Sequence, residues 1–177
     1  SLGTNASWKW YKDGCGTGVS IGTGSSINVS PTTTTTYYVR AEGDCGTTSC
    51  ASVTVTVKYP STNPTSASAI PAVLCVGQST DLSVTGGSLG TNASWKWYAG
   101  GCASAASIGT GTTITVSPSV TTTYYVRAEG DCGTTSCASV TVTVKYPSTN
   151  PTNASAIPAV LCVGQSTDLS VTGGSLG

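Results

Sequence analysis

Eight cysteines, Cys15, Cys45, Cys50, Cys75, Cys102, Cys132, Cys137 and Cys162, are the residues of this chain best equipped for chemistry. They form two sets of four, each member 87 positions from its twin. The chain has no histidine, and no two cysteines stand in a Cys-x-x-Cys spacing. A zinc site draws on thiolates or imidazoles clustered at short intervals, so no metal is expected here. Disulfides are the chemistry that this many thiols imply, and with them an oxidising, extracellular setting.

Other groups were weighed for reactivity in the same way. The stretch AEGDCG, at 41–46 and 128–133, brings Glu42 close to Asp44 and Glu129 close to Asp131. Calcium needs more oxygen ligands than two acids offer, and a solvated turn is the expectation. Asn5, Asn28, Asn92 and Asn153 each open an Asn-x-Ser triplet, an acceptor for glycan only where the host supplies the machinery. Trp8 and Trp10, like Trp95 and Trp97, share one face of a strand, while Tyr11 and Tyr98 face the other way. The two tyrosines are the candidate ligand contacts, for sugar. No group is placed to act as a general base, no acid pair has environments that would separate their pKa values, and the thiols look paired. The chain is therefore expected to be no enzyme and to need no cofactor. Charged residues make up 8% of it and cancel to a net charge of zero. That balance offers nothing to nucleic acid, and no apolar run is long enough to insert in a membrane.

These residues sit on a repeat. SLGTNASWKWY opens the chain and recurs at 88–98, and SLG returns at 175–177. Shifted by 87, residues 1–90 agree with 88–177 at 78 of 90 positions without a gap. A partial unit over 1–60 lacking its first two strands, a complete unit over 61–147, and the first two strands of a further unit over 148–177 are the expected organisation. A window cut from a longer array would give this phase. Within the complete unit, period-two alternation marks strands at 79–87, 93–100, 112–118, 121–130 and 138–146, with an edge strand at 72–77. Val140, Val142 and Val144 share one face of the last strand, with Thr141 and Thr143 opposite. The preceding STNPTSASAIP, rich in Pro and Ser, reads as a stiff linker. No stretch has helical periodicity, and an all-β sandwich follows.

WYKDG at 10–14, VGQSTDLSV at 76–84 and TTTYYVRAEG at 121–130 resemble immunoglobulin-like domains. The joint order of these phrases is similar to the tandem immunoglobulin-like repeats of large secreted surface proteins and adhesins of Bacteroidota. The resemblance implies a core of Trp10 and Trp97 with Tyr37, Tyr124, Val84 and Val126. It also implies that the turn before the second strand lies at the same end as the turn after the third. From that topology come the pairs Cys75–Cys102 and Cys132–Cys137, with Cys45–Cys50 as the copy of the latter; four cysteines allow three pairings. In function, the resemblance implies a disulfide-stapled spacer in an extracellular filament, stalk or adhesin shaft, partnered by adjacent copies of itself. Two alternatives stand beside it. One is an adhesion module that binds glycans or surface proteins weakly and gains by avidity. The other is a filament subunit completed by strand exchange.

Overall fold

The computed structural model describes residues 2–177, which divide into two compact units, 1–59 and 60–177. The first unit is a single sheet. Strand β1 (Ser7–Lys12) lies between β2 (Gly22–Thr23) and the long β3 (Thr35–Gly43), and β3 also pairs with β4 (Gly46–Thr47) and β5 (Ala51–Val55).

The second unit is a two-layer sandwich. Two strands open it, β6 (Ser66–Ile70) and β7 (Val73–Cys75), followed by β8 (Thr80–Thr85) and β9 (Ser94–Ala99). Then come β10 (Gly109–Thr110), β11 (Thr113–Val116), β12 (Thr122–Gly130), β13 (Gly133–Thr134) and β14 (Ala138–Lys145). One layer runs β10-β9-β12-β14-β7, with β13 as the far arm of a hairpin on β12. The other layer is β11-β8-β6. The chain changes layer at the cis peptide Ile70–Pro71, so β6 pairs with β8 while β7 runs parallel to β14. The alternation of Val, Thr and Ala makes this possible: every second side chain faces the opposite layer, and Thr serves the wet face without giving up strand geometry. Where the sequence suggests a linker at 66–70, Ala67 and Ala69 supply the inward face of β6, small enough for the two layers to close over Trp97.

Between the layers Trp97, Leu82, Val126 and Val142 are fully enclosed, with Trp95, Tyr124, Leu74, Ala69 and Ala128 around them. The Trp97 indole N–H donates to the Gly111 carbonyl at 3.0 Å, which satisfies its one polar atom inside the core. A further hairpin follows the sandwich, β15 (Asn153–Ile157) with β16 (Asp168–Thr172).

Comparing the units residue for residue, 87 apart, shows how much each strand owes to its partner. Residues 26–29 keep the Ile and Val of β11 but form no strand, and β5 is shorter than β14. In the second unit those segments are held by β8 and β7, and the first unit has no counterpart of either among its described residues. Sheet edges form where a ladder exists to satisfy them, whatever the local propensity.

Candidate functional site

The outer face of the β9–β12 pair carries the densest polar cluster in the second unit. Lys96 and Tyr98 on β9 stand beside Arg127 and Glu129 on β12, because residues two apart on a strand share a face. The Tyr98 hydroxyl donates to Glu129 Oε1. Arg127 donates to the same oxygen from Nε at 2.8 Å and from Nη2 at 2.7 Å, and Lys96 Nζ lies 3.6 Å from the other oxygen. The Arg127 guanidinium also lies over the Tyr98 ring, 5.6 Å from its centre. The first unit repeats the arrangement with Tyr11, Glu42, Arg40 and Lys9.

The electrostatics follow from these contacts. The Tyr11 hydroxyl and then the Arg40 guanidinium hold the Glu42 carboxyl at about 2. Glu129 is lowered in the same sense, chiefly by the Tyr98 hydroxyl. Burial pushes the Tyr98 phenol up, and the adjoining carboxylate adds to this. At neutral pH the carboxylate is therefore charged and the phenol protonated, each bonded to the other. A cluster saturated in this way is a polar brace, and it holds no proton ready for transfer.

Tyr11 and Tyr98, expected from the sequence as exposed contacts for a ligand, are each only 5% exposed. The cause is the segment after β1 and after β9, which folds back over the outer face. Gly16, at φ 68°, sits so close to the Arg40 guanidinium that a Cβ there would collide with it.

The same fold-back corrects the sulfur pairing. The bonds are Cys15–Cys50 and Cys102–Cys137, with Cα atoms 5.9 and 6.1 Å apart. The expected Cys75–Cys102, Cys132–Cys137 and Cys45–Cys50 pairs do not form, and Cys45, Cys75, Cys132 and Cys162 are free and exposed. Cys132 lies in the turn between β12 and β13, and Cys137 lies five residues further along the same arm. Five residues of extended chain span about 16 Å, far beyond the roughly 4.4–6.8 Å between Cα atoms that a disulfide bridges. Cys137 instead sits at the start of β14, where the segment bearing Cys102 crosses the face to meet it. Cys75 is opposite Lys145, at the end of β14.

The core residues expected from the sequence divide between the units. Trp97, Tyr124, Val126 and Tyr37 are buried, and Val84 is half-buried against the core. Trp10 is only half-buried, although its indole still donates to the Gly24 carbonyl at 3.0 Å. Nothing in the first unit lies over it as β6 and β8 lie over Trp97. A groove of about 620 Å³, lined by Trp8, Trp10, Val39, Thr48, Cys50 and Ala51, runs along this open face.

Asn5 and Asn92 have structural duties. Both sit at φ 53° and donate from Nδ2 to Asp44 and Asp131 respectively, at 2.7 and 2.9 Å, so each closes a turn onto the β-hairpin after β3 or β12. Asp44 and Asp131 are thereby engaged in turn closure, and Glu42 and Glu129 in the braces.

Two facing layers, a strand that switches layers at its start, a tryptophan on the central strand and a tyrosine on the strand beside it define an immunoglobulin-like sandwich. A family model described as "Ig-like domain CHU_C associated" matches residues 1–58 and again 62–145. The chain belongs to this family, as two tandem copies. No curated protein matches it. Among solved structures it is similar to "Crystal structure of Dscam1 isoform 8.4, N-terminal four Ig domains", at 15% identity and a TM-score of 0.38. It is also similar to "Structural basis for Dscam isoform specificity", at 16% identity and a TM-score of 0.36. Each alignment covers 79% of this chain and 38% of the other.

Proposed function

We infer that the chain is a non-enzymatic structural stretch of an extracellular stalk, filament or adhesin shaft, in which each stapled sandwich acts as a spacer. The observation that carries this reading is the fidelity of the copies down to individual hydrogen bonds. The Tyr–Glu–Arg brace, the Asn–Asp turn closure and the indole-to-carbonyl bond all recur 87 residues apart. These contacts stabilise a unit without presenting anything to a partner. Repeating them lengthens an array by the same stable increment each time. The staples suit an oxidising compartment, and no helix among the described residues is long and apolar enough to cross a membrane. A sugar-binding role for Tyr11 and Tyr98 loses support from their burial under the folded-back segment.

Immunoelectron microscopy of producing cells tests the proposal. Antibody against the unit should label the cell exterior, along fibres whose axial repeat is about 35–45 Å, the advance of one sandwich of eight- to ten-residue strands plus its linker. Label confined to the cell interior would overturn it.

A further inference from the structure

The first unit exposes the face that the second unit covers, and the chain carries a matching cover at its other end. Trp8, Val53 and Val55 are the 87-residue twins of Trp95, Val140 and Val142. Trp8 is 38% exposed where Trp95 is 5%, and Val53 is exposed while Val140 packs against the core. In the second unit the cover is the β6–β8 pair, with Ala67 opposite Val84 and Ala69 opposite Leu82. The β15–β16 hairpin has the same register with the same residues: Ala154 opposite Val171, and Ala156 opposite Leu169. Leu82 is 0% exposed and its twin Leu169 is 79% exposed. Leu161, twin of the buried Leu74, is also exposed. A single sheet with one apolar face, and a two-stranded hairpin with another, are each incomplete as a layered fold.

We propose that the β15–β16 hairpin of one copy docks on the open face of residues 2–59 of a second copy, joining chains head to tail. The bound arrangement is the one already present within residues 60–146. Leu169 and Val171 enter over Trp10 as Leu82 and Val84 lie over Trp97. Residues 26–29 gain the ladder that β11 has with β8, with Ile27 opposite Leu169 as Ile114 is opposite Leu82. The strand β5 lengthens through Lys58, because residues 160–162 run parallel to it as Val73–Cys75 run beside β14. The partner is a second copy because it supplies this complementary surface with the register already set. The inference goes beyond the spacer role, since it concerns how lengths of the chain connect and holds for a spacer or an adhesive module alike.

The test uses the full 177-residue chain in sedimentation velocity from micromolar to millimolar concentration. Species at multiples of 17.5 kDa, growing with concentration, are expected. Leu169→Asp, on the donor hairpin, and Val53→Asp, on the acceptor face, should each reduce the chain to monomer; both residues are exposed in the free chain, so each variant keeps the unfolding transition of residues 60–146. Mixing the two variants leaves one intact acceptor and one intact donor, and should restore a dimer and nothing larger. Persistent monomer in the unaltered chain would overturn the proposal, and so would assembly that Leu169→Asp does not touch. A monomer whose Trp fluorescence shifts on Leu169→Asp would show the hairpin closing on its own chain, which also overturns it.

Discussion

Leu82→Ala is the sharpest stability test, because the repeat supplies its own control. Leu82 is wholly enclosed between the layers, in contact with the cluster around Trp97. Leucine to alanine removes three carbons, a transfer loss of about 2.4 kcal/mol at about 0.8 kcal/mol per carbon. The cavity left among Trp97, Val126 and Val142 adds to that, for a total of about 3–4 kcal/mol. Leu169 has the same local sequence on both sides but is 79% exposed. Leu169→Ala should therefore cost less than about 0.5 kcal/mol in the isolated chain. The assay is urea unfolding followed by Trp fluorescence at nanomolar concentration, where chains stay apart. With a slope of about 1 kcal/mol per molar urea for a domain of this size, Leu82→Ala lowers the midpoint of the sandwich transition by about 3 M, and Leu169→Ala leaves it in place. Equal costs for the two substitutions would refute the reasoning from burial.

Three further outcomes follow from the staples, the braces and the turns. Replacing Cys102 and Cys137 together with Ser should cost about 3–4 kcal/mol, from the loop entropy of a 35-residue separation; Cys132→Ser, at an exposed free thiol, should change the urea midpoint by less than about 0.5 M. Glu42 should titrate near 2 by carboxyl NMR, and Tyr11→Phe should move it up toward the usual 4.5, since the phenol is the largest cause of the depression. Because its folded pKa is the lower one, Glu42 contributes stability above about pH 4.5 that is lost as pH falls toward 2, and thermal melts should show that decline flattened in Tyr11→Phe. Asn92→Ala, at φ 53° and with its bond to Asp131 removed, should cost about 1–2 kcal/mol in the same melts, and Asn92→Gly less, since glycine takes positive φ freely.

The long strands were legible because alternation is a short-range signal: Val140, Val142 and Val144 declare the facing layer within five residues. The strand β6 was not, since Ala67 and Ala69 alternate with Ser in a Pro-flanked stretch whose composition matches a linker. The staple was hidden for a different reason. Its geometry depends on the segment after β9 folding across the outer face, and no local preference in 100–108 records that path. One signal did point there. Cys132 and Cys137 lie too far apart on one extended arm to bond, which leaves Cys137 needing a partner from elsewhere. The brace had a visible trace as well: Arg127 and Glu129 two apart on one strand face, with Lys96 and Tyr98 two apart on the neighbouring strand. The alternation places all four on one face, but the roof that buries Tyr98 belongs to the tertiary fold. In the first unit Trp10 carries the same sequence signal as Trp97 and differs in burial because burial is a property of the opposite layer.

Single-molecule pulling on the 177-residue chain tests most directly whether the sandwich is a discrete stapled spacer. The oxidised chain should yield residues 60–146 in one abrupt step, with the 35-residue separation between Cys102 and Cys137 held out of the extension. Reduction should lengthen that step by about 120 Å, at roughly 3.3–3.6 Å per residue. Smooth extension without a step, or a step whose length ignores the reductant, would contradict the account.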